Sequence, residues 1–263
     1  MNPRRERLTF LAFIFPNLIL FALFTYWPIV YSGYLSFFDW KLPSPSPRFI
    51  GVENYATLFR DDWFWKVLAN TTVYAVSVVV AAQGIAFGLA LLLNRPIAGR
   101  TLYRTLAFTP HITTTAAAAL VWVLLLDPKL GPFSFVFNLT GVEGPRLLAN
   151  SALALWAIVL VGIWKEIGFA TIFFVAGLQG LPAECYEAAR IDGASAWSRL
   201  RHLTVPLMSP VIFFLMVSGF IAAVKVFDTV ALMTEGGPVY PASSTFVYHL
   251  YQTAFRDYRL GYA

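Results

Sequence analysis

The chain has 263 residues, of which 58% are apolar, 17% aromatic and only 13% charged. A soluble fold of this size cannot bury that much apolar surface around one core, so the composition excludes an ordinary soluble domain and makes the bilayer its natural solvent. The net charge of +5 does not point to nucleic acid, because Lys and Arg stand in short segments between long apolar runs with no aromatic-interleaved basic patch. The single cysteine, Cys185, excludes an internal disulfide and offers no cluster for a metal.

Crossing a hydrocarbon core takes about 20 helical residues. Five apolar stretches are long enough, at about 9–32, 70–93, 103–126, 151–176 and 209–232. The first follows Arg4, Arg5 and Arg7, as a signal peptide would, but its apolar run is longer than the usual length of roughly 7–15 residues and no small-residue cleavage site follows. It reads as an uncleaved span. The segments 1–8, 94–102 and 177–208 carry Arg4, Arg5, Arg7, Arg95, Arg100, Arg190, Arg199 and Arg201, whereas 38–69, 127–150 and 233–263 are longer and more acidic. That bias predicts a cytoplasmic N-terminus in a multi-pass plasma-membrane protein. The expected fold is all-α: one transmembrane helical bundle over 1–263 with five visible spans.

Chemistry is sparse along the chain. No G-x-x-x-x-G-K-[ST] loop is present, so the chain is not expected to bind nucleotide, and there is no H-E-x-x-H, C-x-x-C or G-x-S-x-G pattern. His111, His202 and His249 lie in separate segments and suggest no catalytic trio. Asp61-Asp62 reads as a solvated turn before Trp63, Phe64 and Trp65, which are expected to anchor in the headgroup belt. Gly84 and Gly88 have the small-xxx-small spacing of a helix-packing pair. Ionisable and polar groups inside spans are costly against lipid and face a cavity or another helix. By that rule the candidates for a solute path are Gln83 in the second span, Lys165 and Glu166 in the fourth, and Lys225 with Asp228 in the fifth. The last two are spaced one helical turn apart. They could neutralise each other at a helix interface or contact solute, and spacing does not decide between these.

The most informative segment is 181–210, "LPAECYEAARIDGASAWSRLRHLTVPLMSP". Pro182 suits the first turn of a helix, Glu184 and Glu187 favour its positive end, and Gly193 can end it in a left-handed conformation. Ala194, Trp197, Leu200 and Leu203 then recur near helical spacing, with Arg199 and Arg201 on another face. Pro206 and Pro210 break the run before the fifth span. Periodicity alone is equally consistent with an ordinary amphipathic loop at the membrane surface.

Residue identity goes further. Glu187-Ala188-Ala189, Ile191-Asp192-Gly193-Ala194, Trp197, Pro206 and Pro210 resemble the EAA loop of bacterial ABC importer permeases, with that family's spacing between Glu-Ala-Ala and Gly. "GVENYATLFRDDWFWKVLANT" at 51–71, "AGLQGLPAECYEAA" at 176–189 and "MTEGGPVYPASSTFVYHLYQTAF" at 233–255 resemble the carbohydrate-uptake branch, particularly its maltose- and glycerol-phosphate-type first permease subunits. The resemblance implies the type I permease fold, with a sixth span following the segment that here reaches Ala263. It implies that Glu187 through Ala194 form the coupling helix on a cytoplasmic ATPase dimer that carries ATP and Mg, so that this chain needs no cofactor and is not itself an enzyme. The other implied partners are a second homologous permease, an extracytoplasmic solute-binding protein, a sugar-like substrate and membrane lipid. A membrane-embedded enzyme and a purely structural or regulatory subunit are the competing classes. The first would need a reactive residue pair, and none is evident. The second would bind an ATPase with no solute depending on it.

Overall fold

The computed structural model describes residues 3–44, 46–96, 98–132 and 146–263; the side chains of Arg4, Arg5 and Arg7 and residues 133–145 lie outside that description. Helices dominate, and the chain divides into two compact units, residues 1–64 with 250–263, and residues 65–249.

In the first unit, α1 (Pro3–Phe21) continues through a widened π turn (Ala22–Tyr26) into α2 (Trp27–Leu35). Pro28 has no N–H and its ring would crowd the carbonyl one turn earlier, and the widened turn relieves that conflict without breaking the helix. None of the apolar stretch Thr9–Leu35 is buried within the chain. One short strand pair stands among the helices. β1 (Phe38–Asp39) pairs antiparallel with β2 (Arg48–Phe49), with Phe38 and Phe49 edge to face at 5.3 Å. After α3 (Glu53–Arg60) the chain enters α4 (Asp62–Leu93).

The C-terminal segment closes on this same unit. The Leu42 N–H donates to the Tyr258 carbonyl at 3.1 Å, and the Gly261 N–H to the Trp40 carbonyl at 3.3 Å. A Cβ at Gly261 would overlap the Phe38 carbonyl oxygen, so only glycine allows this approach. The Tyr262 hydroxyl donates to Asp61 Oδ2 at 3.3 Å. Asp61 also accepts the Trp63 N–H at 2.9 Å, which accounts for the Asp61-Asp62 pair as the entry turn of α4.

The second unit holds the remaining apolar helices. The third predicted stretch is not one straight helix. It is α5 (Arg100–Ile112) and α6 (Thr115–Leu125), which meet at 98°. Thr113 and Thr114 are extended, with ψ of 134° and 137°, and Pro110 inside α5 supplies no N–H. After α6, α7 (Ala154–Gln179) is long and apolar enough to cross a membrane. Next come α8 (Ala183–Ile191), α9 (Ala196–Arg199), a π turn (Leu200–Thr204) and α10 (Val205–Leu207). The helical run Ala196–Leu207 meets α11 (Ser209–Val224) at 63°, where Pro206 and Pro210 interrupt the ladder.

The fifth predicted stretch also departs from a single helix. α11 stops at Val224, and a new helix, α12 (Asp228–Met233), begins after a three-residue break. α13 (Phe246–Tyr251) follows. Asn70 on α4 fixes the intervening segment: its amide donates to the carbonyls of Pro241, Ala242 and Ser244 at 2.9, 3.2 and 3.2 Å. Thr71 Oγ1 accepts the Phe246 N–H at 2.8 Å. Polar side chains buried in an apolar bundle must find such partners, and here they staple the 241–246 segment to α4. The core centres on Tyr74, Val79, Ile158 and Val230 toward one end of α4, and on Ala86, Phe174, Met208 and Leu215 toward the other.

Gly84 and Gly88 behave differently from the packing role expected of them. Nothing lies within 4 Å of a Cβ built at either position, so among the described residues no helix packs closely on that face. The close backbone approach occurs at Gly168 on α7, where a Cβ would overlap the Ala107 carbonyl oxygen of α5.

Candidate functional site

Two regions of the second unit collect the polar residues that the apolar surroundings do not explain. The first is a cavity of about 380 Å³ lined by α7, α11, α12, α4 and the start of α6. Lys165, Glu166, Lys225 and Asp228 all line it, with Tyr74 and Thr115. Four of the five residues nominated from sequence thus converge on one space. Gln83 does not line it but stands close by: a Cβ at Gly219 would lie 3.6 Å from Glu166 Oε1 and 3.8 Å from Gln83 Nε2. Tyr74 reaches the cavity because Gly162 leaves room for its ring, with the Tyr74 hydroxyl 2.6 Å from where a Cβ would be.

No ion pair within 4 Å joins the cavity charges among the described residues, although the Asp228 carboxylate acts electrostatically on Lys165. Lys225 and Asp228 therefore do not form the close pair that their spacing allowed. The break in the fifth stretch explains why. Lys225 terminates α11, where helix carbonyls concentrate negative potential, and Asp228 opens α12, where N–H groups concentrate positive potential. Glu166 is half-buried and, among the described residues, its carboxylate has no hydrogen-bond or ion-pair partner. Lys165 differs. Its ammonium donates to the Thr113 carbonyl at 2.6 Å and reaches the Pro110 carbonyl at 3.5 Å.

The second region is the 181–208 loop. α8 begins after Pro182 in extended conformation (φ −67°, ψ 122°) and carries Glu184 in its first turn. Its end is a Schellman motif: the Gly193 N–H bonds to the Arg190 carbonyl at 3.1 Å and the Ala194 N–H to the Ala189 carbonyl at 2.9 Å. Gly193 has φ +73°, the left-handed conformation that glycine adopts without strain. Ser195 then caps α9 by accepting the Ser198 N–H at 3.2 Å. Ile191 and Trp197, on either side of this turn, are 87% and 69% exposed. The acid Glu187, with Ala188 and Asp192, is also on the exposed surface, while Pro206 sits in the short α10 that turns the chain into α11.

A contact not anticipated from sequence ties α8 to the π turn that follows it within the loop. The hydroxyls of Tyr186 on α8 and Thr204 in the π turn meet at 3.0 Å. Thr204 Oγ1 also donates to the Arg199 carbonyl at 3.3 Å. A smaller cavity of about 340 Å³ lies beside this contact, lined by Tyr186, Glu187, Arg190, Thr204, Leu91 and Asn94. Tyr186 and Thr204 were legible only as a half-buried tyrosine inside a polar loop and a threonine before Val-Pro, with no motif to join them. Gly168 had a better signal: a glycine one turn after an intramembrane lysine on the same helix face.

Apolar helices around a cavity lined by ionisable side chains, with a short helix and two large apolar residues exposed on a loop between two of them, define a polytopic membrane permease subunit. Residues 84–258 match the family model described as binding-protein-dependent transport system inner membrane component. The chain is 32% identical over 250 residues to the sn-glycerol-3-phosphate transport system permease protein UgpA of Agrobacterium fabrum, covering 94% of this chain and 84% of that one. It is 33% identical, with the same coverage, to the protein of that name from Brucella abortus. A permease chain in the crystal structure of a bacterial alginate ABC transporter, in complex with an alginate pentasaccharide-bound periplasmic protein, superposes with a TM-score of 0.85 at 22% identity, over 98% of this chain and 87% of that one. The chain belongs to the family of binding-protein-dependent transport system inner membrane components, the permease subunits of ABC importers. Its fold is that of these permeases, and its relatives are transporter subunits, not enzymes.

Proposed function

We propose that this chain is one of two permease subunits of an importer for a sugar or sugar-like solute, with the whole of 1–263 forming one membrane domain. The names of its relatives support a polyhydroxylated solute: one set moves a glycerol phosphate, and the alginate transporter takes an acidic oligosaccharide. The observation that carries the reading is the cavity on which Lys165, Glu166, Lys225 and Asp228 converge with no ion pair within 4 Å joining them. Unpartnered charge at bilayer depth is expensive, and a solute rich in hydroxyls offers both donors and acceptors to it. Gln83 extends the polar surface beside Glu166.

In this reading the N-terminus is cytoplasmic, and the loop from Glu187 to Ala194 with Trp197 and Pro206 docks on a separate ATPase dimer that holds ATP and Mg. Exposed Ile191 and Trp197 supply the apolar contact that such docking requires. Closure of the ATPases moves α8 as a rigid body and switches the cavity between the two sides, with an extracytoplasmic binding protein delivering solute. The test is detergent co-purification of this chain with its second permease and ATPase, comparing the native loop with one in which residues 187–194 are replaced by Gly-Ser. Capture of the ATPase by the native loop alone is the expected result. Equal capture by both overturns the docking role.

A further inference from the structure

We propose that Lys165 is a positioning residue: by capping the carbonyl end of α5 it holds the break in the third span, and so sets where Thr115 meets the cavity. This rests on the reading of that cavity as the solute path, but its observations are separate. A helix end leaves four carbonyls without intrahelical donors. At bilayer depth no water is at hand, so a broken span persists only where neighbouring groups satisfy the freed backbone. The last rung of α5 is the Thr113 N–H on the Thr109 carbonyl at 3.3 Å. Beyond it, Lys165 Nζ donates to Thr113 O at 2.6 Å and reaches Pro110 O at 3.5 Å. The ammonium also stands at the negative end of the α5 dipole, where a cation is favoured.

The same face of α7 fixes α5 at two more points. Gly168, one turn beyond Lys165, lets the Ala107 carbonyl approach the α7 backbone directly. Phe169 stacks on the His111 ring with centroids 4.8 Å apart and planes 25° apart. Lys165, Gly168 and Phe169 therefore seat the last two turns of α5, and the chain turns by 98° immediately afterwards into α6. Thr115, the first residue of α6, lines the cavity. Glu166, Lys225 and Asp228 share that cavity, but among the described residues it is Lys165, not Lys225, that donates to the carbonyl end of α5.

The test reads the break directly. The full importer, purified through this chain, carries Cys185→Ser to remove the exposed native thiol and Thr115→Cys as a reporter. Labelling by a water-soluble maleimide is followed without solute or ATP. Lys165→Met is expected to change the labelling rate about tenfold, the population shift that corresponds to about 1.4 kcal/mol. Lys165→Arg, which keeps the cation and its donors, should stay near the native rate. Glu166→Gln should leave labelling unchanged while weakening uptake. An unchanged rate in Lys165→Met overturns the proposal, even if uptake falls, because a direct solute contact alone predicts that pattern. Should Lys165→Met fail to assemble, Lys165→Gln is read by the same rate, and a native value there overturns it equally. If Asp228→Asn, Lys225→Met and Glu166→Gln all transport normally, the cavity reading is wrong, yet the labelling result for Lys165 still stands or falls by itself.

Discussion

Replacing Gly193 separates conformation from bulk in the coupling loop. A Cβ built at Gly193 has nothing within 4 Å, so no substitution there meets a steric obstacle. What constrains the position is φ +73°, held by the Gly193-to-Arg190 and Ala194-to-Ala189 hydrogen bonds. Forcing an L-residue into the left-handed region costs roughly 1–2 kcal/mol, most for a β-branched side chain and least for Asn or Asp. A loss of that size lowers the ratio of formed to unformed turn by roughly 5–30-fold. Gly193→Val should therefore release the end of α8, while Gly193→Asn should largely preserve it. Gly193→Asp belongs with Asn in conformation and differs from it in charge alone. The assay is solute uptake per ATP hydrolysed by the reconstituted importer. The expected order is native, then Asn close behind, then Val with uptake per ATP reduced several-fold and hydrolysis retained. A Val variant as tightly coupled as native would refute a role for the Schellman turn. If Asn and Val fail equally, the surface itself and not the backbone conformation is what the ATPase reads.

Gly168→Ala should destabilise the chain by about 1–3 kcal/mol, because α5 must move off α7 to admit one methyl group. Gly84→Ala and Gly88→Ala, with open space at both positions, should change stability by less than about 1 kcal/mol. Thermal unfolding of the detergent-purified chain compares the three. Tyr186→Phe removes the hydroxyl that meets Thr204 and should weaken the attachment of α8 by about 1 kcal/mol. In a double-mutant cycle with Thr204→Val, read as uptake per ATP, the second substitution should add little to the first. Additive losses would show that the two hydroxyls act separately.

The parts of this protein that were legible in its sequence are those where one residue's chemistry dictates one local outcome. Long apolar runs declare themselves as spans because the bilayer excludes anything else. Pro182 and Gly193 bracket α8 because few other residues fit those backbone positions. The breaks were illegible for a complementary reason. The polar residues at Thr113-Thr114 and at Lys225 are few enough to be outweighed by their apolar flanks over the length of a span, and the lost quantity is a helical hydrogen bond, which hydropathy does not read. Lys225 and Asp228 looked like a pair one turn apart only on the assumption that the helix ran between them. Once it breaks, the same two charges become the ends of two helices, and the space between them becomes cavity. Glycine shows the same logic. Gly84 and Gly88 had a spacing associated with packing but no close partner among the described residues, whereas Gly168 had no motif and a backbone carbonyl against it. Which small residue permits a close approach depends on the helix that arrives, and Lys165 determines where that helix ends. The polar groups inside these spans stood out by chemistry alone, while their grouping around one cavity could be read only once the broken helices were in place.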